Sequence, residues 1–125
     1  MADIVGHKGL KVYQLSYKLA MEIFHISKTF PREEIYSLTD QIRRSSRSVA
    51  ANIAEGYRKR RYSKHFVSKI SDADGEATET QVWIEIARDC EYISAEVCRE
   101  LIIQYEEVGR MLGGMISNPE RFLPK

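Results

Sequence analysis

Side chains that could hold a metal or attack a substrate are few in this chain. Glu22 and His25 form a Glu-x-x-His pair, the spacing used in carboxylate-bridged di-iron bundles. Such a centre needs a second pair and two further inward carboxylates, and the sequence offers a single pair. Cys90 and Cys98 match no zinc or redox spacing, and we expect both to be small buried residues. With no phosphate-binding glycine loop or HExxH motif either, we expect no metal, no cofactor and no enzymatic activity.

The strongest chemical signal is a concentration of positive charge between positions 40 and 69. This span carries nine Lys/Arg against two Asp/Glu, a local net charge of +7, although the whole chain has a net charge of +1. The span 72–107 is the opposite, with two Arg, eleven Asp/Glu and a local net charge of −9. Because a solvated helix surface normally alternates charge sign, this segregation favours a binding role for the basic span.

The basic residues fall into two groups, one on a predicted helix and one in the turn after it. Arg43, Arg44 and Arg47 share one side of the helix. Like charges one turn apart destabilise an isolated helix by roughly 0.2–0.5 kcal/mol, which an ordinary surface would avoid. The turn then places four consecutive cations between Tyr57 and Tyr62. Arg pairs with phosphate through a planar fork and Tyr stacks on unpaired bases, so this pattern favours RNA, with DNA as an alternative.

This argument selects one set of candidate nucleic-acid-binding residues. They are Arg43, Arg44, Arg47, Tyr57, Arg58, Lys59, Arg60, Arg61, Tyr62 and Lys64. Two other interpretations of the same charge stay open. The cluster could be an ordinary solvated turn, or it could dock onto the acidic 72–107 span of a neighbouring copy. Docking between copies and nucleic-acid binding are compatible in one oligomer.

Four amphipathic helices are predicted to position these residues in a single domain. Apolar side chains recur at intervals of three and four over about 10–28, 32–58, 64–93 and 95–117. Pro31 ends the first helix and is expected to open the second, and Ser63 is a candidate N-cap for the third. Long helices with short connections predict an all-α fold, an antiparallel up-down four-helix bundle.

The helices also differ in how many faces they are expected to bury. The first is predicted to bury a wide apolar face. It consists of the stripe Tyr13, Tyr17, Ala20 and Phe24, widened by Val12, Leu15, Leu19, Ile23 and Ile26. Small residues of the second helix, around Ala51, form a face suited to close packing within the chain or against another subunit. The third helix has a second stripe, Val82, Trp83, Ile86, Cys90 and Ile93, which is expected to meet a neighbouring subunit.

A few residues are candidates for structural or oligomer-forming roles. They are Asn52, Glu55, Gly56, Trp83 and Ile86. Asn52 and Glu55 are interpreted as hydrogen-bonding groups that orient neighbouring helices, with direct ligand contact as the alternative. No run approaches the ~18 apolar residues of a membrane span, and the N-terminal MADIVGHKG lacks the apolar core of a signal peptide. We therefore expect a cytoplasmic protein with no membrane partner.

Several segments resemble the four-helix bundle proteins encoded in intervening sequences of 23S ribosomal RNA. They are VYQLSYKLA (12–20), FPREEIYSLTDQIRRSSRSVAANIAEG (30–56) and ADGEATET (73–80). The combination QIRRSS with ANIAEG is the specific part of this resemblance. EVGRMLG (107–113) is similar to the C-terminal helix of the accessory protein of diversity-generating retroelements, a more distant relative.

The resemblance implies an all-α bundle that assembles into a ring-like homo-oligomer, a homopentamer. For the retroelement relatives it implies binding to a reverse transcriptase and to nucleic acid through a basic surface, which matches Arg43, Arg44, Arg47 and 58–61 here. For the intervening-sequence proteins it implies no particular activity. The sequence therefore predicts a non-catalytic nucleic-acid-binding accessory protein. The alternative is a structural scaffold that binds protein, such as a reverse transcriptase, through the same surface.

Overall fold

The computed structural model describes the backbone of residues 2–124 and the side chains from Gly6 onwards. Within that part of the chain it contains four α-helices and no strand, which confirms an all-α fold. The helices are α1 (Lys11–Ser27), α2 (Leu38–Arg58), α3 (Ser63–Asp89) and α4 (Ala95–Ser117). Short 3₁₀ helices occupy Ala2–Gly9, Arg32–Glu34 and Pro119–Phe122.

One hydrophobic core holds the four helices together. Each helix packs against the next in sequence, and α4 packs back against α1. Leu19, Ile53, Phe66 and Tyr105, one from each helix, are completely buried in this core. Burying a large apolar side chain stabilises the fold by about 1.5–3 kcal/mol, so this shared core sets the arrangement of the helices. No helix among the described residues is long and apolar enough to cross a membrane.

One side of the wide apolar face predicted for α1 is buried, and the stripe expected at its centre is not. The core positions are Val12, Leu19 and Ile23, while Tyr13 and Phe24 are half-buried and Tyr17 is exposed. Both sets recur at helical spacing, so periodicity alone does not distinguish the face that meets the core. The predicted stripe instead forms one wall of a surface groove between α1 and α2.

Helix α2 begins at Leu38 rather than at Arg32 as predicted. Pro31 opens only the 3₁₀ helix, and the carboxylate of Glu34 then accepts the N–H of Leu38 at 3.2 Å. The same carboxylate accepts the hydroxyl of Tyr92 at 2.8 Å. The first turn of α2 is therefore capped by a side chain that the α3–α4 connection holds in place.

Helix α3 ends at Asp89, short of the predicted end at Ile93. Glu91 has a left-handed backbone with φ of 65°, and the N–H of Tyr92 donates to the carbonyl of Ala87 at 2.8 Å. This is the Schellman arrangement, here without the glycine that usually marks it. Cys90 is consequently an exposed C-cap rather than a buried helix residue, whereas Cys98 is buried as expected.

The start of α3 also differs from the prediction. Tyr62 occupies the N-cap position, and Ser63 is the first helical residue, whose side chain makes no cap hydrogen bond. The N-cap of α4 does use a hydroxyl, because Ser94 Oγ accepts the N–H of Val97 at 3.0 Å. The two helix starts therefore differ in how their free N–H groups are satisfied.

Helices α2 and α3 approach each other closely through small and polar residues of α2. A Cβ on Gly56 would lie 3.0 Å from Ile70 Cδ1 and 3.1 Å from Lys69 Cβ. Near the other end of α2, the buried hydroxyls of Ser45 and Thr80 lie 2.8 Å apart and share a hydrogen bond. The basic turn connects these two closely packed helices, α2 and α3, at one end.

Candidate nucleic-acid interface

The turn between α2 and α3 spans residues 59–62 and is closed by successive backbone hydrogen bonds. The N–H of Lys59 donates to Gly56, that of Arg60 to Tyr57, and that of Tyr62 to Lys59, at 2.9–3.2 Å. Because three of its four N–H groups donate to carbonyls three residues earlier, the turn is a tight continuation of α2 rather than an open loop. The backbone that carries the side chains of residues 59–62 is therefore held by hydrogen bonds.

Arg60 acts within the turn rather than outside it. Its guanidinium lies 4.1 Å from the centre of the Tyr57 ring, and its Nη1 donates to the Tyr57 carbonyl at 3.0 Å. A cation over an aromatic face contributes about 0.5–1 kcal/mol at an exposed site. Both side chains are half-buried, so this pair braces the end of α2.

Four other cations of this region are exposed and extend from the turn and the helix ends beside it. They are Arg58, Lys59, Arg61 and Lys64. Among the side chains that the structure describes, from Gly6 to Pro124, none of these four cations pairs with an acidic group within 4 Å. Tyr62, 59% exposed, lies among them with its ring edge-on to His65 at 6.0 Å. We call Arg58, Lys59, Arg61 and Lys64 the basic turn cluster.

The three arginines of α2 are placed differently from one another. Arg43 donates from Nε to Ser27 Oγ at 2.7 Å and lies over the Phe24 ring at 5.0 Å, so it is bound to α1. Arg44 forms an ion pair with Glu79 of α3 at 3.1 Å. Arg47 lies over the Phe24 ring at 5.8 Å, and alone of the three it has neither an ion pair nor a side-chain hydrogen bond among the described residues. Arg43 and Arg44 thus join α2 to its two neighbouring helices.

Asn52 and Glu55 lie beside Gly56 where α2 meets α3. Glu55 forms an ion pair with Lys69 at 2.8 Å, and Lys69 also donates to Asn52 Oδ1 at 3.4 Å. The hydrogen bond and the charge of Lys69 lower the pKa of the Glu55 carboxyl, and the same contacts with Glu55 raise the pKa of Lys69. These contacts orient α3 against α2 directly behind the basic turn.

The outer side of α3 lies apart from the basic turn. Trp83 is half-buried against the core and donates its indole N–H to Glu79 at 3.2 Å. Val82 and Ile86 are 46% and 39% exposed. With Cys90 and Ile93 outside the helix, the second stripe of α3 is shorter than predicted and consists of these three residues.

Two neighbouring surface grooves were not identified from the sequence. One, of about 270 Å³, lies between α1 and α2 and includes Phe24 and Ala51. The other, of about 550 Å³, adjoins it at Arg47 and Ala51 and is bordered by Ile35 and Tyr36, both exposed. The signal in the sequence was the double apolar periodicity of α1, since only one of its two stripes can face the core.

The fold and the basic turn define a class of small all-α protein in which four helices share a core and the α2–α3 connection carries exposed cations. Residues 8–114 match the sequence model of the 23S rRNA-intervening sequence protein family. This chain belongs to that family.

One solved structure similar to this chain is a crystal structure from Bacteroides thetaiotaomicron VPI-5482. It is described as a protein with unknown function from the S23 ribosomal protein family. The two chains are 29% identical and superpose with a TM-score of 0.76, over 84% of this chain and 97% of that one. No curated protein matches this chain.

Proposed function

We propose that this protein is a cytoplasmic, non-catalytic accessory protein that binds RNA through the basic turn cluster of a homopentamer. The observation that carries the proposal is that Arg58, Lys59, Arg61 and Lys64 are exposed and without ion pairs in the described structure. The family is described by its link to 23S rRNA intervening sequences, which makes RNA the first nucleic acid to test and DNA the second.

Phosphate neutralisation is the mechanism that such a cluster supports. Exposed cations without an ion pair are free to approach a phosphate, and each contact releases condensed counterions from the nucleic acid. Arg60 is already held by Tyr57, so it fixes the turn and the other four cations make the contacts. Phosphate contacts position a protein on nucleic acid without reading bases, so binding is expected to depend little on sequence.

The helix directions support an antiparallel up-down bundle as the unit of this assembly. Helix α2 has 21 residues and is therefore about 32 Å long at ~1.5 Å per residue. Four connecting residues span at most about 14 Å. The chain cannot return along α2 to start α3 parallel to it, so α2 and α3 run in opposite directions. Repeating the turn in each copy of a ring would give several binding sites and raise the overall affinity.

The direct test removes the basic turn cluster while leaving the turn intact. The variant R58A/K59A/R61A/K64A keeps Arg60 and Tyr57. Its matched control is K8A/K11A/R99A/R121A, which removes the same charge from exposed positions elsewhere. Fluorescence anisotropy with a short single-stranded RNA is expected to show at least about tenfold weaker binding by the first variant and little change in the control. Equal weakening in both variants would reject the basic turn cluster as the site.

The alternative function is a scaffold that binds a protein such as a reverse transcriptase through the basic surface. Its distinguishing result is a well-formed oligomer that binds neither RNA nor DNA, even at low salt. That result would reject the proposal above.

A further inference from the structure

The groove between α1 and α2 is an apolar surface that the chain itself leaves open. Its walls include Tyr17, Met21, Phe24, Ala51 and Ala54, and Arg47 lies at one end. Tyr17 and Met21 remain 55% and 43% exposed. We call this surface the alanine groove, because α2 contributes only alanine methyl groups to its lining beyond Arg47.

The shape of the alanine groove is suited to a helix. Two helices pack with axes 8–10 Å apart, and small side chains on one of them leave room for larger ones on the other. Here the small residues are on α2, and the larger walls, Tyr17 and Phe24, are on α1. An amphipathic helix laid in such a groove would supply apolar residues one turn apart. Arg47 adds a preference for an acidic partner.

The outer side of α3 has the complementary features. Val82 and Ile86 are exposed and one turn apart, and the exposed carboxylate of Glu85 lies beside them. Asp89, one turn further on, is ion-paired with Arg88 at 2.9 Å. One face of α3 therefore presents a short apolar ridge with the carboxylate of Glu85 at its border. We call Val82, Glu85 and Ile86 the α3 ridge.

We infer that the α3 ridge of one copy lies in the alanine groove of a second copy. Val82 and Ile86 would pack against Ala51 and Ala54, and Glu85 would approach Arg47. The inference rests on the homo-oligomer of the proposed function and specifies its interface. The basic turn cluster lines neither the groove nor its neighbour, so this interface leaves the proposed RNA site free.

The two surfaces are different, which fixes the type of assembly. A contact between unlike surfaces leaves each copy with one groove and one ridge still available. Such a contact repeats until it closes into a ring, or it continues as a fibre. A contact between two identical grooves would stop at a dimer. Pairing the α3 ridge with the alanine groove therefore predicts a ring rather than a dimer.

Mixing two interface variants tests this assignment. A51E places a carboxylate in the groove and leaves the ridge intact, and I86E places a carboxylate on the ridge and leaves the groove intact. The altered groove and the altered ridge therefore repel each other in a mixture. Both positions are exposed, so both variants are expected to keep their circular dichroism spectra. Each variant alone is expected to be a monomer by light scattering. Their equimolar mixture is expected to form a heterodimer and nothing larger, because one functional groove and one functional ridge remain.

Matched controls change exposed residues outside both surfaces. A95E adds the same charge at the start of α4, and I103E adds it at an isoleucine that is 57% exposed on α4. Both controls are expected to keep the mass of the wild-type oligomer. A wild-type monomer, or A51E and I86E oligomers of wild-type mass, would overturn the inference. So would a mixture that stays monomeric.

A charge exchange gives a second, independent measurement. R47E and E85R are each expected to weaken assembly at least about tenfold, and the double variant R47E/E85R is expected to recover it. Failure of the double variant to recover would contradict the pairing of these two residues. All masses are measured without RNA, so an intact oligomer that does not bind RNA would reject the proposed function and leave this interface standing. If the turn variant loses RNA binding but the oligomer interface lies elsewhere, the proposed function stands and this interface is rejected.

Discussion

At the scale of single residues, Gly56 determines how closely α2 approaches α3. A methyl group at this position would lie within 3.0 Å of Ile70 Cδ1 and 3.1 Å of Lys69 Cβ. Ile70 is completely buried, and Lys69 is held by Glu55, so neither neighbour moves freely. Gly56 closely precedes the turn that carries the basic turn cluster. Its small size therefore helps to fix where that turn lies relative to α3.

Replacing Gly56 with Ala should destabilise the protein although Ala is the better helix former. Alanine gains up to about 1 kcal/mol of helix propensity, and overpacking a tight site costs about 1–3 kcal/mol. G56A is expected to lower the free energy of unfolding by about 1 kcal/mol in urea denaturation at one fixed protein concentration. The control is G113A, where an added methyl group meets nothing within 4 Å and stability should rise. Equal gains in both variants would contradict the close approach.

The ion pair between Glu55 and Lys69 should make stability depend on pH. Lys69 holds the pKa of the Glu55 carboxyl below its ordinary value of 4.5. A carboxyl with a lowered pKa in the folded state stabilises the protein above the unfolded value, and that contribution disappears as pH falls through the lowered value. The difference in unfolding free energy between wild type and E55Q should therefore be larger at about pH 6 than at about pH 3. A difference independent of pH would contradict the ion pair. The control is E106Q, which removes an exposed carboxylate that is outside any ion pair among the described residues.

At the scale of elements, the helix starts show how differently similar sequences can be capped. Ser94 accepts the N–H of Val97 at the start of α4, while Ser63 makes no such bond at the start of α3. The first of these bonds satisfies an N–H group that has no partner inside the helix. Helix α4 lies next to both α1 and α3, so its start influences the whole core.

Removing the two serine hydroxyls should therefore have unequal effects. S94A is expected to lower the free energy of unfolding by about 1 kcal/mol, and S63A should change it by only a few tenths. Thermal denaturation followed by circular dichroism measures both. A larger effect of S63A than of S94A would mean that the capping roles are assigned to the wrong residues.

Element boundaries also show what the sequence could and could not predict. Apolar periodicity predicted four helices, because one face of each meets a shared core. The late start of α2 depends on Tyr92, which holds Glu34 from 58 residues away, and local patterns carry no information about such a contact. The early end of α3 depends on Glu91 in a left-handed conformation, where a glycine would have signalled the stop.

The candidate site was predictable to a similar degree. Consecutive cations after a helix predicted an exposed basic turn, because Glu55 is the one acidic residue in the span 41–69 and cannot neutralise them all. Which arginines stay unpaired was not predictable, since Arg44 meets Glu79 across the α2–α3 contact and Arg43 meets Ser27 on α1. Likewise, the second stripe of α1 was visible as a pattern, but only the fold shows that it lines a groove.

At the scale of the whole molecule, charge is separated between two parts of the chain. The span 40–69 has a net charge of +7 and the span 72–107 a net charge of −9. Ion pairs such as Arg44 with Glu79 neutralise only part of this difference. The remaining positive charge is concentrated at the basic turn cluster, and the carboxylate of Glu85 borders the α3 ridge. The same separation of charge therefore supports both a nucleic-acid site and a contact between unlike surfaces of two copies.

The central claim is that the basic turn cluster binds nucleic acid by neutralising phosphates. It is tested most directly by titrating single-stranded RNA at two salt concentrations, with protein whose oligomer mass is known from light scattering. The affinity of wild type should fall steeply with salt, and R58A/K59A/R61A/K64A should show a slope shallower by about 0.7 for each phosphate that the variant no longer neutralises. A slope that is the same in both proteins, or no binding by an intact wild-type oligomer at low salt, would contradict the claim.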